Sequence, residues 1–200
     1  MKTEEKEKKL NSLEVKLKNL KQSPLYEERV RNDYQYVFGE GNIDSQIMLV
    51  GEAPGKNESL SGKPFCGSSG KVLDELFNHI GIERKNVYIT NIVKDRPPEN
   101  RDPTSKEIEV YTPLLEAQIE IIRPKVIAPL GRHSLNYILK KYFKKEDHGT
   151  VTNLHGKKFF ITLSYGEVVI VPLYHPAVAL YNVNRKDVLK KDFEILKSFN

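Results

Sequence analysis

Apolar residues return along this chain with two different periods. Leu10, Leu13, Leu17 and Leu20 recur at spacings of three and four among Lys and Glu, which predicts an amphipathic helix over residues 1–21 packed by one stripe on the rest of the domain. Val72, Leu73, Leu76, Phe77 and Ile80 give a second helix over 71–81, with Gly81 where a C-cap belongs. Ile108, Leu115, Ile119 and Ile122 give a third over 105–122, and helices are also expected over 132–143 and 185–199. Between them lie short, continuously apolar runs at 46–50, 86–92, 125–130 and 168–171, read as buried strands. Residues 36–38 and 159–163 are further strand candidates, with 39–42 as a turn and 144–157 and 172–182 as loops. Strands that are apolar throughout and alternate with helices mark an α/β class, a mostly parallel sheet covered on both faces. Ligands in such folds gather beyond the carboxyl ends of the strands, where Gly51, Asn91, Gly131 and His175 fall.

Composition narrows the setting. The 200 residues fit a single domain, 1–200, and 38% apolar content suffices for a core although 30% of residues are charged. No apolar run approaches the roughly 18 residues that span a bilayer, and the Lys/Glu-rich first twenty residues hold no signal-peptide core. The protein is therefore expected in the cytoplasm, without membrane contact. A net charge of +5 permits a polyanionic partner without identifying one. The single cysteine, Cys66, excludes an intrachain disulfide and a four-thiolate metal site.

Four segments could carry chemistry. Gly51-Glu52-Ala53-Pro54-Gly55 closes a strand abruptly, and its glycines and proline let backbone approach a ligand while a carboxylate sits in the middle. It has neither the Lys-Ser/Thr ending of a phosphate-binding loop nor the spacing of a dinucleotide fingerprint. Residues 62–70 lead small residues into a helix start suited to a phosphate or a base carbonyl, with Phe65 a candidate stacking platform, although a lone Phe is more often a core residue. Asn91 sets a donor beside an acceptor at a strand mouth, which suits a pyrimidine edge but also an Asx turn. His175 precedes Pro176, whose ring biases its backbone to an extended shape. His79, His133, His148 and His155 occur singly and read as incidental. No His, Asp, Glu or Cys spacing marks a metal site, and no lysine marks a Schiff-base pocket. Lys94, Arg96, Arg101, Arg132 and Arg185 border the same loops and are candidates for phosphate contacts or plain solvated surface.

In this order the segments resemble the family 4 uracil-DNA glycosylases. The matching pieces are GEGNIDSQIMLVGEAPG (39–55), GKPFCGSSG (62–70), VYITNIVKDRPPENRDPT (87–104), IEIIRPKVIAPLGR (119–132) and PLYHPAVAL (172–180). The resemblance implies a three-layer α/β/α fold around a central, mostly parallel four-stranded sheet, acting as a monomer on uracil-containing DNA in base excision repair. It implies that Glu52 positions the hydrolytic water or supports the sugar cation, with Glu58 a second acidic group. Phe65 would stack on the flipped uracil, Asn91 would read its edge, and His175 would assist departure of the base. Gly51, Ala53 and Gly55 would line the substrate site, and the loop 175–180, including Ala177, would enter the DNA.

One departure from the family is large. Its members carry a [4Fe–4S] cluster on four cysteines, and here Asp95 and Tyr111 stand at two of those positions, with the N-terminal pair falling near Leu20 and Ser23. Cys66 lies in the substrate loop and cannot replace them. No cofactor is expected, and apolar packing by Leu20 and Tyr111 is expected instead. Base flipping, recognition of uracil's N3–H and O4 by Asn91, and water addition at C1′ would follow without metal and without strand cleavage. A glycosylase for other deaminated bases and a non-catalytic binder of damaged DNA are the alternatives.

Overall fold

The computed structural model describes residues 1–144, 149–182 and 184–199. In chain order it contains α1 (Thr3–Lys18), α2 (Tyr26–Arg31), β1 (Glu40–Gly41), β2 (Ile47–Gly51), α3 (Lys56–Ser61), α4 (Ser68–Ile80), β3 (Tyr88–Asn91), α5 (Ser105–Ile122), β4 (Val126–Pro129), α6 (Arg132–Tyr142), α7 (Val151–Leu154), β5 (Phe159–Leu163), β6 (Gly166–Ile170), α8 (Val178–Tyr181) and α9 (Arg185–Phe193), the last continued by a 3-10 turn over Glu194–Phe199.

Among the described residues the strands form one sheet in the order β1-β3-β2-β4-β6-β5. The four inner strands run parallel, as the apolar runs predict. The sheet is wider than expected: β1 and β5 add antiparallel edges, giving six strands. Residues 36–38 are not a strand. Only Val37 N–H bonds to Lys94 O, at 2.8 Å, and the carbonyl of Phe38 is taken by the Thr90 hydroxyl and the Gln118 amide, both at 2.9 Å. The pairing shifts to Glu40 and Gly41, read from sequence as a turn.

Alternate residues of the parallel strands feed two cores. Met48, Val50, Tyr88, Ile127 and Ile170 face α1, α5 and α6, while Ile47, Leu49, Ile89, Val126 and Val169 face α4 and α9. The leucine stripe of α1 packs as expected, with Leu10, Leu13 and Leu17 buried; each such side chain contributes roughly 1.5–3 kcal/mol. Lys6 adds a polar clasp, donating from Nζ to Asp44 at 2.7 Å and to Ile122 O at 2.9 Å. Gly81 ends α4 in the left-handed conformation, φ 70°. No helix among the described residues is long and apolar enough to cross a membrane.

Strand order reverses at β2, with β3 on one side and β4 on the other. Loops leaving the carboxyl ends of these strands must part there, which opens a crevice.

Candidate active site

The register brings the sequence candidates together. Gly51 and Asn91 are direct partners at the ends of β2 and β3. On the other side, Leu130 bridges Leu173, and Gly131 N–H bonds to Leu173 O at 2.9 Å, which carries the segment 172–177 up beside the loop after β4.

Glycine is required at the centre. A Cβ on Gly51 would stand 2.2 Å from Asn91 Oδ1 and 3.0 Å from the Phe65 ring. Phe65 itself is buried and held at φ 49°, an uncommon conformation for a bulky residue. Its loop stays there because Gly70 offers no Cβ against the Phe65 carbonyl, where one would lie at 1.8 Å. The Phe65 ring also meets that of His175, centroids 5.5 Å apart. Gly51, Phe65, Asn91 and His175 therefore share one crevice.

Asn91 is 2% exposed, yet its Nδ2 has no hydrogen-bond partner among the described residues. Leaving such a donor unpaired costs about 1–3 kcal/mol, so a buried orphan of this kind calls for an explanation, and a ligand carbonyl supplies one.

His175 is half-buried, and burial pushes its imidazole pKa down to about 4. Its Nδ1 accepts from the Ala177 N–H at 3.2 Å, so the ring is neutral at pH 7 with its proton on Nε2. It can donate a hydrogen bond there, but it is not a reservoir of positive charge.

Glu52 is half-buried, and burial pushes its carboxyl above the usual carboxylate range. His133, read as incidental from the sequence, lies with Nε2 3.9 Å from Glu52 and 3.1 Å from Asp102. The spacing of these three residues along the chain gives no hint of a cluster; the fold makes one. Arg132 borders it, donating to Asp102 at 2.8 Å with Nη2 2.9 Å from His133 Nε2.

Two expectations are corrected. Glu58 is not a free acid beside the substrate: its two oxygens accept from the backbone N–H groups of Gly55 and, at 2.9 Å, of Phe65, so it braces the loops that carry them. Lys94 cannot reach a phosphate, because it is fully buried. Arg96 is half-buried and donates to Tyr34 OH at 2.6 Å and Asn100 Oδ1 at 2.8 Å through Nη1 and Nε. Arg132 and Arg185 remain exposed near the crevice, the latter lying 5.3 Å over the Tyr174 ring. Ala177 is half-buried, while Leu180 and Tyr181 after it are 48% and 90% exposed. His155 bonds to Asp192 at 2.7 Å, tying the loop before β5 to α9, and His148 lies outside the described residues.

The family model for the uracil DNA glycosylase superfamily matches residues 38–197. The chain belongs to that superfamily. It is 49% identical over 164 residues to a type-4 uracil-DNA glycosylase of Saccharolobus solfataricus, covering 80% of this chain and 74% of that protein. It is 46% identical over 162 residues to one from Sulfurisphaera tokodaii (80% and 73%), and 39% identical over 173 residues to one from Thermotoga maritima (84% of each).

The residues at the family's cluster positions do not fit an iron–sulfur cluster. Asp95, Tyr111 and Ser23 bond to one another instead. Leu25 N–H donates to Ser23 Oγ at 3.1 Å, Ser23 lies 2.5 Å from Tyr111 OH, and Tyr111 donates to Asp95 Oδ2 at 2.6 Å. Arg29 takes the other Asp95 oxygen at 3.2 Å and also bonds to Lys18 O at 3.0 Å. Burial pushes the Asp95 carboxyl up, while Tyr111 and Arg29 hold it down. The expected apolar replacement is thus corrected: Leu20 does pack on the core, but a polar network crosses the gap. Cys66 is exposed and far from this role, 3.2 Å from Ser61 Oγ.

Proposed function

We propose that this crevice binds uracil flipped out of DNA and hydrolyses its N-glycosidic bond. The observation that carries the reading is the buried, unpartnered Nδ2 of Asn91 beside Gly51 and Phe65. Uracil offers O4 to that N–H and N3–H to Asn91 Oδ1. Cytosine reverses the pattern and leaves buried groups unpaired, which is how such sites discriminate strongly.

Phe65 stacks on the base. As the bond breaks, negative charge grows on the uracil ring, and the neutral His175 donates from Nε2 to it, a stabilisation that needs no proton transfer. Positive charge on the sugar meets Glu52, which also orients the attacking water at C1′. Glu58 positions, through the Gly55 and Phe65 amides, the loops that do this. Arg132 and Arg185 hold phosphates, and Leu180 and Tyr181 fill the gap that the flipped base leaves. The whole chain, α1 included, works as one monomeric domain at the nucleoid.

Base release from a uracil-containing oligonucleotide in EDTA tests this. Intact strands that break only after alkali are expected from the wild type, and Glu52→Gln should lose about 10²–10⁴ in rate, the range for a general base. Binding to uracil DNA without release would favour the non-catalytic reading. Preferential release of deaminated purines would favour the other glycosylase reading.

A further inference from the structure

The lysine expected on the DNA face is the most deeply buried charged group near the site. Lys94 has no exposed surface, and its Nζ donates to three oxygens: Thr90 Oγ1 at 2.6 Å, Asn91 O at 2.7 Å and Gln118 Oε1 at 2.6 Å. Burial pushes the Lys94 amine well below its ordinary value, while three acceptors at 2.6–2.7 Å match the three N–H donors of the charged form and hold it against that burial. Two of the acceptors are engaged further. Thr90 passes its hydroxyl proton to Phe38 O, and the Gln118 amide donates to Phe38 O and, at 3.1 Å, to Tyr88 OH. None of the partners of Nζ is a carboxylate. A methionine or leucine would fill the volume without the desolvation of a charge, so packing alone does not account for a lysine.

What the three acceptors share is the end of β3. Thr90 and Asn91 are its last residues, and Gln118 lies on α5 behind it. Just beyond, Ile92 N–H and Val93 N–H bond to Gly51 O and Glu52 O, each at 3.0 Å. The direction of the Asn91 carbonyl fixes its peptide plane, and with it the direction in which the Asn91 side chain leaves the backbone.

We infer that Lys94 is a positioning residue for base recognition: from beneath the sheet it holds the Asn91 peptide so that the unpartnered amide faces the base. Through Thr90 and Gln118 the same ammonium locks the strand end to α5. The role rests on the reading of Asn91 as the uracil reader. A displacement near 1 Å at a reacting site costs up to about 10²-fold in rate, so a modest rotation of this peptide would be felt in turnover and selectivity.

The test compares Lys94→Met, Thr90→Val, Thr90→Ser and Asn91→Ala with the wild type. It measures uracil excision under single turnover, affinity for DNA carrying an abasic site, and melting temperature. Abasic DNA presents no base to Asn91, so it reports DNA binding without recognition. Lys94→Met and Thr90→Val should lose about 10- to 100-fold in excision with abasic-site affinity unchanged, and Thr90→Ser, which restores the hydroxyl, should recover it. If Lys94→Met does not fold, Thr90→Val, which keeps the shape and removes one acceptor, decides alone. Wild-type excision by Asn91→Ala would overturn the reading of Asn91 and this role with it. Loss in Asn91→Ala alongside wild-type rates in Lys94→Met and Thr90→Val would overturn only the role of Lys94. Parallel loss of excision, abasic-site binding and melting temperature would reduce Lys94 to a structural residue.

Discussion

Two buried polar regions meet on the segment after β3 and are built in opposite ways. On the N-terminal side, Asp95, Arg29, Tyr111 and Ser23 use every charged oxygen and hydroxyl on one another. Arg29 also lies over the rings of Tyr26 and Tyr36, at 5.0 and 5.5 Å. On the crevice side, Lys94, Thr90 and Gln118 are equally saturated, yet the network stops one group short and leaves Asn91 Nδ2 unpaired. A closed network fastens chain segments together. A network with one open donor, set among residues fixed by Gly51 and Gly70, has the geometry of a preorganised recognition site. On the proposed reading, the contrast separates polar groups that hold the fold from a polar group that recognises the base.

That contrast can be broken from the structural side first. Asp95→Ala strips the charged partner from buried Arg29 and should destabilise the protein by about 3–5 kcal/mol, the usual result of orphaning half a buried pair. Thermal or denaturant unfolding measures it, while the folded fraction should excise uracil at the wild-type rate. Unchanged stability would mean that the network does not replace the family's cluster as a fastening. From the crevice side, Phe65→Ala should weaken productive uracil binding by about 1–3 kcal/mol, the contribution of one stacked base, and leave nonspecific DNA binding intact. Equal excision by this variant would return Phe65 to the core.

The smallest effect concerns pH. His175 titrates at about 4 in the folded chain against an ordinary value near 6.5. The unfolded chain therefore binds the extra proton between those values, and the stability tied to neutral His175 is whole above pH 6.5 and declines as pH falls toward 4. Imidazole NMR shifts should show a midpoint well below 6.5. A midpoint above about 7 would make His175 mostly a cation at neutral pH and contradict its role as a neutral donor.

Much of this was legible in the sequence. The parallel strands announce themselves by continuous apolar runs, and Gly51, Asn91 and His175 sit where strand ends must converge, with Phe65 brought to them by the loop before α4. Helices α2, α3, α7 and α8, of four to six residues each, were not, since so short a stretch shows no period. Lys94 was misread because a lysine in a polar, proline-rich stretch looks solvated. Only the folded chain brings Thr90 and Gln118 around it. His133 was missed for a related reason, since its distance from Glu52 is set by the pairing of β2 with β4 and not by any spacing along the chain.

The account turns on the open amide of Asn91, and Asn91→Asp tests it most directly. The change keeps the size and replaces the donor with an acceptor, so a carboxylate would face uracil O4 with neither able to donate. Cytosine becomes the better match, because its N4 amine can donate to the new carboxylate and a protonated carboxyl can donate to its N3. The measurement is base release from matched uracil and cytosine oligonucleotides across about pH 5–8, the span over which a buried carboxyl can titrate, with melting curves to confirm folding. The prediction is a sharp fall on uracil with a weak gain on cytosine that strengthens toward acid pH. A folded Asn91→Asp protein that excises uracil at the wild-type rate would contradict it.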